Sequence, residues 1–452
     1  MNSMKSLYLT RRFFIALALV ATGFVVAFFL PSLLQPMRVA LGMLTTFTLL
    51  DLLLLYAPGS NGAGQVFGRR VMGDKLANGS DNDLAIYLEN SYRFPVSVET
   101  IDEIPHQFQR RDVLFRSSLK AGETGIIRYQ LRPVKRGEYQ FGALNVFAAS
   151  PISLVRRRFR YGQDQMVPVY PSFLQMRQYE LLAISNRLTE VGVKRIRRVG
   201  HSLEFEQVRP YVPGDDPRAI NWKATARRTD ASGDTLIVNH FQDERAQQVY
   251  SLIDKGRVMR MPFQGLSLLD YAINAALVVS NIAIIKHDKA GLITFSDRLG
   301  ALLPADRRGG HMLKILEVLY KQRTKYLETD YELLYTNVKA KIRQRSLLIL
   351  YTNFETLNGM QRQLPYLRRL AKDHLLLVVF FENTELRHFL NAPALTTEEV
   401  YNQTIAEKFA QEKRQIVREL QRYGIHALLT APEHLTVNTL NRYLEFKARG
   451  LI

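Results

Sequence analysis

Two apolar runs stand back to back at the start of this 452-residue chain, and they constrain its folding more than any other feature. Phe13 to Leu30 is uncharged over about 18 residues, close to the length that spans a bilayer. A connector with Pro31 and Pro36 follows, and then a second run from Val39 to Tyr56. In lipid, a helix satisfies its own backbone groups within one segment. The runs therefore predict a transmembrane helical hairpin over residues 1–60, with spans at 13–30 and 39–56. The first run has no small-residue cleavage site and leads straight into the second, which argues against a removable leader. Lys5, Arg11 and Arg12 precede the hairpin, while only Arg38 lies in its connector. The positive-inside bias then places both ends in the cytoplasm, giving a multi-pass inner-membrane protein with a cytoplasmic body. Asp51 lies in the second run near that cytoplasmic end, where it is expected to reach the interface.

The rest of the chain is long enough for two or three domains. Apolar residues make up 47% and charged residues 23%, which excludes bulk disorder. The absence of cysteine excludes disulfide frameworks, thiolate metal sites and cysteine nucleophiles, and it fits a reducing compartment. A formal net charge of +19 raises nucleic-acid binding. The basic residues are nevertheless dispersed, with clusters only at Arg156–Arg160 and Lys194–Arg198, and no aromatic platform accompanies them. Anionic lipid headgroups explain dispersed basicity near a membrane as easily, and no nucleic-acid partner is expected.

Residues 64–165 read as β. Ile127, Tyr129 and Leu131 alternate with Arg128, Gln130 and Arg132, and Leu84, Ile86 and Leu88 keep the same period. Gly and Pro fall between such runs at the spacing of a β-sandwich. Residues 246–452 change to alternating strands and helices. Val249–Ile253, Gly291–Phe295, Leu347–Tyr351, Leu375–Phe381 and His426–Leu429 are apolar runs suited to a parallel sheet covered on both faces. Helices are expected at Ser267–Ile285, His311–Tyr320, Tyr331–Ile342, Gln361–Lys372, Thr397–Tyr423 and Thr436–Arg449. The result is a doubly wound α/β domain, whose site belongs at the carboxyl ends of its strands.

Between these domains lies a connector, 166–245, with the densest charge chemistry of the chain. Pro213-Gly214-Asp215-Asp216-Pro217 has to turn, because Pro lacks a donor and restricts its neighbour. Ile220 to Arg228 follows as a short helix that Asp215 or Asp216 is placed to cap. It holds Trp222, the one tryptophan of the chain, which is expected to be buried at a seam between domains. Glu204, Arg209, Tyr211, Gly214, Asp215, Asp216, Arg218, Trp222 and Arg227 are the candidate interaction residues. Glu204, Asp215 and Asp216 also open an alternative, a metal-assisted hydrolase. Against it, Arg209, Arg218, Arg227 and Arg228 neutralise them, and only His201 is spaced as a base. No Gly-x-x-x-x-Gly-Lys loop is present, so nucleotide hydrolysis is not expected.

The strand ends Asp254, Ser296 and Thr352-Asn353-Phe354-Glu355 carry a resemblance to the von Willebrand factor A-like fold, with Gly291–Ser296 and Leu348–Asn353 matching its second and fourth strands. The resemblance implies a divalent-cation site built from an Asp-x-Ser-x-Ser turn, a loop Thr and a further Asp. Here those positions hold Asp254, Gly256, Val258, Thr329 and Asn353. One carboxylate, one amide and one hydroxyl beside Lys255 and Arg257 make a poor cation site, so no tight metal and no cofactor are expected beyond a weak divalent cation, the ion being lost or replaced by Arg257 or Lys255. The segments Gly200-His-Ser-Leu-Glu-Phe205 and Arg209 to Arg227 closely resemble the signature of the domain of unknown function 58 family, with Asn221 where that family commonly has Asp. This resemblance implies a scaffold or adaptor beside a MoxR-type AAA+ ATPase, rather than an enzyme.

Overall fold

The computed structural model describes residues 6–56, 64–110, 112–162, 164–184, 205–212, 220–227, 236–241, 246–324, 326–391, 393 and 396–452. They fall into two units, Met1–Ser172 and Phe173–Ile452. The first opens with strand β1 (Leu7–Leu9), followed by helices α1 (Arg11–Phe29) and α2 (Leu34–Tyr56), joined through a 3₁₀ turn at Pro31–Leu33. Thr10 caps α1 by accepting from the Phe13 amide. Pro36 sits in the first turn of α2, where its missing N–H is no loss, so this helix begins at Leu34 rather than Val39 and takes in Arg38. Phe14, Leu19 and Phe28 on α1 and Phe47, Leu49 and Leu53 on α2 stand exposed, as lipid-facing side chains would.

Ten strands follow: β2 (Val66–Val71), β3 (Leu76–Ala77), β4 (Asn82–Asn90), β5 (Val96–Asp102), β6 (Leu114–Leu119), β7 (Thr124–Leu131), β8 (Gly137–Phe141), β9 (Leu144–Ala149), β10 (Val155–Tyr161) and β11 (Gln165–Tyr170). They form a five-stranded sheet, β1-β10-β9-β5-β6, and two three-stranded sheets, β2-β4-β7 and β3-β11-β8. Val98, Val146 and Val155 share one core with Val66, Ile86 and Leu88, the inward halves of alternating strands from two sheets. The β region extends to Tyr170, past the expected end at residue 165.

The hairpin is not a separate domain. β1 pairs antiparallel with β10, and Leu55 of α2 is fully buried in the sandwich core. The Thr10 amide donates to Leu154 O at 3.0 Å and its hydroxyl to Ser153 O at 2.6 Å. Asp51 corrects the expectation of an interfacial carboxylate: it has no exposed surface. It accepts from the Ser150 hydroxyl, from Leu154 N at 2.7 Å and from Val155 N at 2.8 Å. A turn with unpaired N–H groups comes down on the helix end and replaces the water that the carboxylate would otherwise hold.

The second unit contains α3 (Phe173–Ile184), β12 (Phe205–Pro210), α4 (Trp222–Arg227) and β13 (Ile237–Phe241), then β14 (Gln248–Asp254), β15 (Pro262–Phe263), β16 (Leu266–Ser267) and α5 (Leu268–Ile285). It continues with β17 (Lys289–Phe295), β18 (Leu299–Asp306), α6 (His311–Tyr320), α7 (Tyr331–Lys341), β19 (Leu347–Tyr351) and α8 (Leu357–Asp373). Last come β20 (Leu375–Phe381), α9 (Thr384–Asn391), α10 (Thr397–Arg422), β21 (His426–Thr430) and α11 (Leu435–Ala448). Six strands form one sheet in the order β18-β17-β14-β19-β20-β21, parallel except for the antiparallel edge strand β18. β18 is not expected from the sequence, since its half-exposed residues show neither a continuous apolar run nor clean alternation. Leu334, Met360, Leu367 and Ile416 place α7, α8 and α10 on the face of Leu348, Leu350 and Val378. On the other face lies α5, apolar enough to cross a membrane but buried here as a core helix beside α11.

Candidate functional site

The apolar run of β14 stops at Asp254, so burial of the strand delivers this carboxylate to the carboxyl edge of the sheet. Asp254 is fully buried and accepts from the Gly256 amide at 2.7 Å and the Thr329 hydroxyl at 2.5 Å on one oxygen. Its other oxygen accepts from the Thr352 hydroxyl at 2.7 Å. The Tyr331 hydroxyl lies 2.7 Å from Thr352 and donates to it, closing a Tyr–Thr–Asp relay. Burial raises the Asp254 pKa despite these donors, and burial followed by the Asp254 charge pushes Tyr331 well up.

Of the five positions expected at a cation site, the structure brings Asp254, Gly256 and Thr329 into contact. A Cβ at Gly256 would lie 2.0 Å from the Thr329 hydroxyl oxygen, so a serine cannot be placed there as the chain stands. Val258 is half-buried in a 3₁₀ turn, Arg257–Arg260, and offers no oxygen ligand from its side chain. Asn353 is buried, and its Oδ1 accepts from Lys413 Nζ at 2.7 Å. The residues present do not fit an octahedral, carboxylate-rich cation site.

Arg257, one of the two basic residues expected in the cation's place, does not reach into the site. Arg257 points outward, 3.9 Å from Glu328. Lys255 is buried against Gly300, where a Cβ would come 2.5 Å from its ammonium. An ammonium at this edge comes from Lys413 of α10, which donates to Phe381 O at 2.8 Å as well as to Asn353. Burial lowers its pKa to about 8, and Glu355 opposes that shift. Lys413 is not among the residues expected at the site; the sequence predicts only a helix over Thr397–Tyr423 there. The signal was its spacing from Ile416 and Leu420, which puts a lysine on an apolar stripe. Beside Thr329 an open groove of about 460 Å³ is lined by Asp297, Glu328, Asp330, Glu332, Arg362 and Tyr366.

The signature region is described in part. Glu204, Gly214, Asp215, Asp216 and Arg218 lie outside the described residues, and Arg209 and Arg227 are placed by their backbones alone. β12 and β13 pair antiparallel, and the Tyr211 amide continues the ladder by donating to Leu236 O at 2.7 Å. Asn221 caps α4, its Oδ1 accepting from Ala224 N at 2.9 Å. Asn serves as an N-cap as well as Asp does, which accounts locally for the departure at this position. Trp222 is 67% exposed, which overturns its expected burial. It stands at the first position of α4, and the residues packed inward are Ala224 and Thr225.

A family model described as "Protein of unknown function DUF58" matches residues 207–389, from β12 to α9, and leaves the hairpin and sandwich outside the match. The uncharacterized protein YeaD of Bacillus subtilis (strain 168) is 30% identical over 129 residues, 28% of this chain and 30% of that protein's length. Among solved structures, the conserved hypothetical protein BatB from Bacteroides thetaiotaomicron aligns over 45% of this chain and all of its own, at 11% identity and a TM-score of 0.30. The seventh PapD-like domain of human CEP192 aligns over 26% of this chain and 94% of its own, at 12% identity and a TM-score of 0.20. These scores are low, and the fold described above rests on its own strand order.

Proposed function

We propose that this chain is a membrane-anchored scaffold or adaptor that works through protein contacts at the carboxyl edge of its six-stranded sheet. The observation that carries the reading is the internally satisfied Asp254, whose acceptors are taken up by Gly256, Thr329 and Thr352 beside an open acidic groove. The Asp and Thr at this edge support a resemblance to a von Willebrand factor A-like domain, and on this reading the edge offers a partner a surface rather than a cation. The anchor is the α1–α2 hairpin in the inner membrane. Arg11 and Arg12 at its sandwich end support a cytoplasmic body. A MoxR-type AAA+ ATPase is the proposed partner, on the strength of the signature resemblance.

The test is to crosslink the chain in its own membrane, solubilise it and identify what accompanies it. Recovery of an AAA+ ATPase, lost on reversing charge in the groove with Glu328→Arg, is the expected result. A chain recovered alone that carries out metal-dependent hydrolysis overturns the reading.

A further inference from the structure

We infer that the first four turns of α10 form a docking arm for a basic amphipathic helix of a partner protein. The inference rests on the docking reading above and names the chemistry of the contact. α10 is 26 residues long, about 39 Å, whereas β20 beside it has 7 residues and spans about 23 Å. Ile416 and Leu420 in its second half pack into the core, and Lys413 sits level with the end of β20 through its bond to Phe381 O. The turns before Lys413 therefore overhang the carboxyl edge of the sheet.

The apolar stripe does not stop where the sheet stops. Tyr401, Ile405 and Phe409 continue it at four-residue spacing, at 67%, 38% and 47% exposed. At that spacing three side chains make one ridge, the element that another helix packs against. The ridge lies on the side of the helix that, further along, faces the core; α9 packs against this stretch, with Gln403 donating to Phe389 O at 3.1 Å, and the three ridge side chains stay exposed beside it.

Charge selects the occupant. Residues 397–412 hold four glutamates against one lysine, in a chain whose net charge is +19. Glu398 and Glu412 fall at the two ends of the ridge on the same helical face. The groove at the same sheet edge is also acidic, through Asp297, Glu328 and Glu332. An anionic bilayer would be repelled by this surface. A helix with apolar residues at i and i+4 and lysine or arginine on its flanks meets both the ridge and its rim.

The probe is a fluorescent 18-residue helical peptide of leucine and lysine, with a leucine–glutamate twin, titrated by anisotropy against the full chain in neutral nanodiscs. The lysine peptide is expected to bind and the glutamate twin to fail. Affinity should fall at least tenfold in Tyr401→Ser/Phe409→Ser and in Glu398→Lys/Glu412→Lys, with unchanged melting curves. A serine placed on α3 instead, Leu181→Ser, should leave binding intact. Equal binding of both peptides, or binding untouched by the arm variants, overturns the inference. So does adhesion to phosphatidylglycerol vesicles that the arm variants abolish, since that would make the arm a lipid contact. An ATPase recovered equally with wild-type and Tyr401→Ser/Phe409→Ser chains sinks the arm and leaves the docking reading standing. If the peptide binds as expected but no ATPase accompanies any chain, the arm stands and the ATPase partnership falls.

Discussion

Asp51, inside the apolar run of a helix, and Asp254, at the end of an apolar strand, are both fully buried carboxylates that accept three hydrogen bonds, yet they do different work. Two of the donors to Asp51 are backbone amides about a hundred residues away in sequence, so the carboxylate ties a membrane helix to a turn of the sandwich. Two of the donors to Asp254 are threonine hydroxyls, which can rotate, accept or be displaced. A carboxylate held by backbone amides is a lock. One held by hydroxyls remains a site, even where its ion-binding partners are missing.

The largest expected effect tests that contrast. Asp51→Ala leaves two N–H groups and a hydroxyl buried without an acceptor, and each such group costs roughly 1–3 kcal/mol. We expect the first unit to lose about 4 kcal/mol, read as a fall in its unfolding midpoint in detergent and earlier proteolysis near Pro151. A loss under about 1 kcal/mol would mean that water replaces the carboxylate, and the lock would be no lock.

Asp254→Ala should cost the second unit about 3 kcal/mol, less because its two threonines can turn to one another. Asp254→Asn should stay within about 1 kcal/mol of wild type at neutral pH, since an amide can still accept from Gly256 and Thr329 and removes a buried charge. The pH dependence separates the two residues further. Burial raises the folded pKa of Asp254 above its ordinary 3.8, so the folded chain holds a proton that the unfolded chain has lost. Stability then falls as pH rises from that ordinary value to the raised one, and levels off above it. The Asn variant should lack that slope; a slope identical to wild type would assign it elsewhere.

Lys413 gives the opposite sign. Its folded pKa is near 8 against an ordinary 10.5, so below pH 8 both states carry the charge and the cost of burying it is complete. Between those values the folded chain sheds its proton first, and stability rises with pH. Relative to Lys413→Met, wild type should gain about 3 kcal/mol from pH 7 to pH 10.5, measured by denaturant titration of both chains. A constant difference across that range would place the ammonium in water rather than in the protein.

Burial pattern made much of this fold legible in the sequence, and partner identity made much of the site illegible. The five apolar runs of the parallel sheet and the alternation around Ile127–Leu131 are one-dimensional signals of which faces are covered, and each became a strand. β18 is an edge strand with neither pattern, so nothing in its composition announced it. Thr329 was foreseeable at Asp254 because a known arrangement requires a hydroxyl there. Lys413 was not, because its meaning depends on the end of β20 reaching the same level of α10. For Asp51 the sequence shows a carboxylate near a helix end, but the choice between water and a turn of amides is made by residues 150–155.

The smallest effect is expected at Trp222, and it sharpens the comparison from the other side. Leu55, from the hairpin, is fully buried, whereas the one tryptophan of the chain is 67% exposed on α4. Trp222→Ala should therefore change stability by no more than about 0.5 kcal/mol, the range of surface substitutions away from caps and cores. Its neighbour supplies the control. Asn221→Ala removes the acceptor that holds Ala224 N and should cost about 1 kcal/mol, although asparagine is the smaller and more polar residue. Melting curves of the two variants should rank them in that order. If Trp222→Ala proves the more damaging, the ring is covered in the folded chain and belongs with Leu55 as a core residue. If it is silent in stability, the exposed indole is free to serve as a contact, since a large aromatic held rigidly at a helix start is the kind of side chain that anchors a partner.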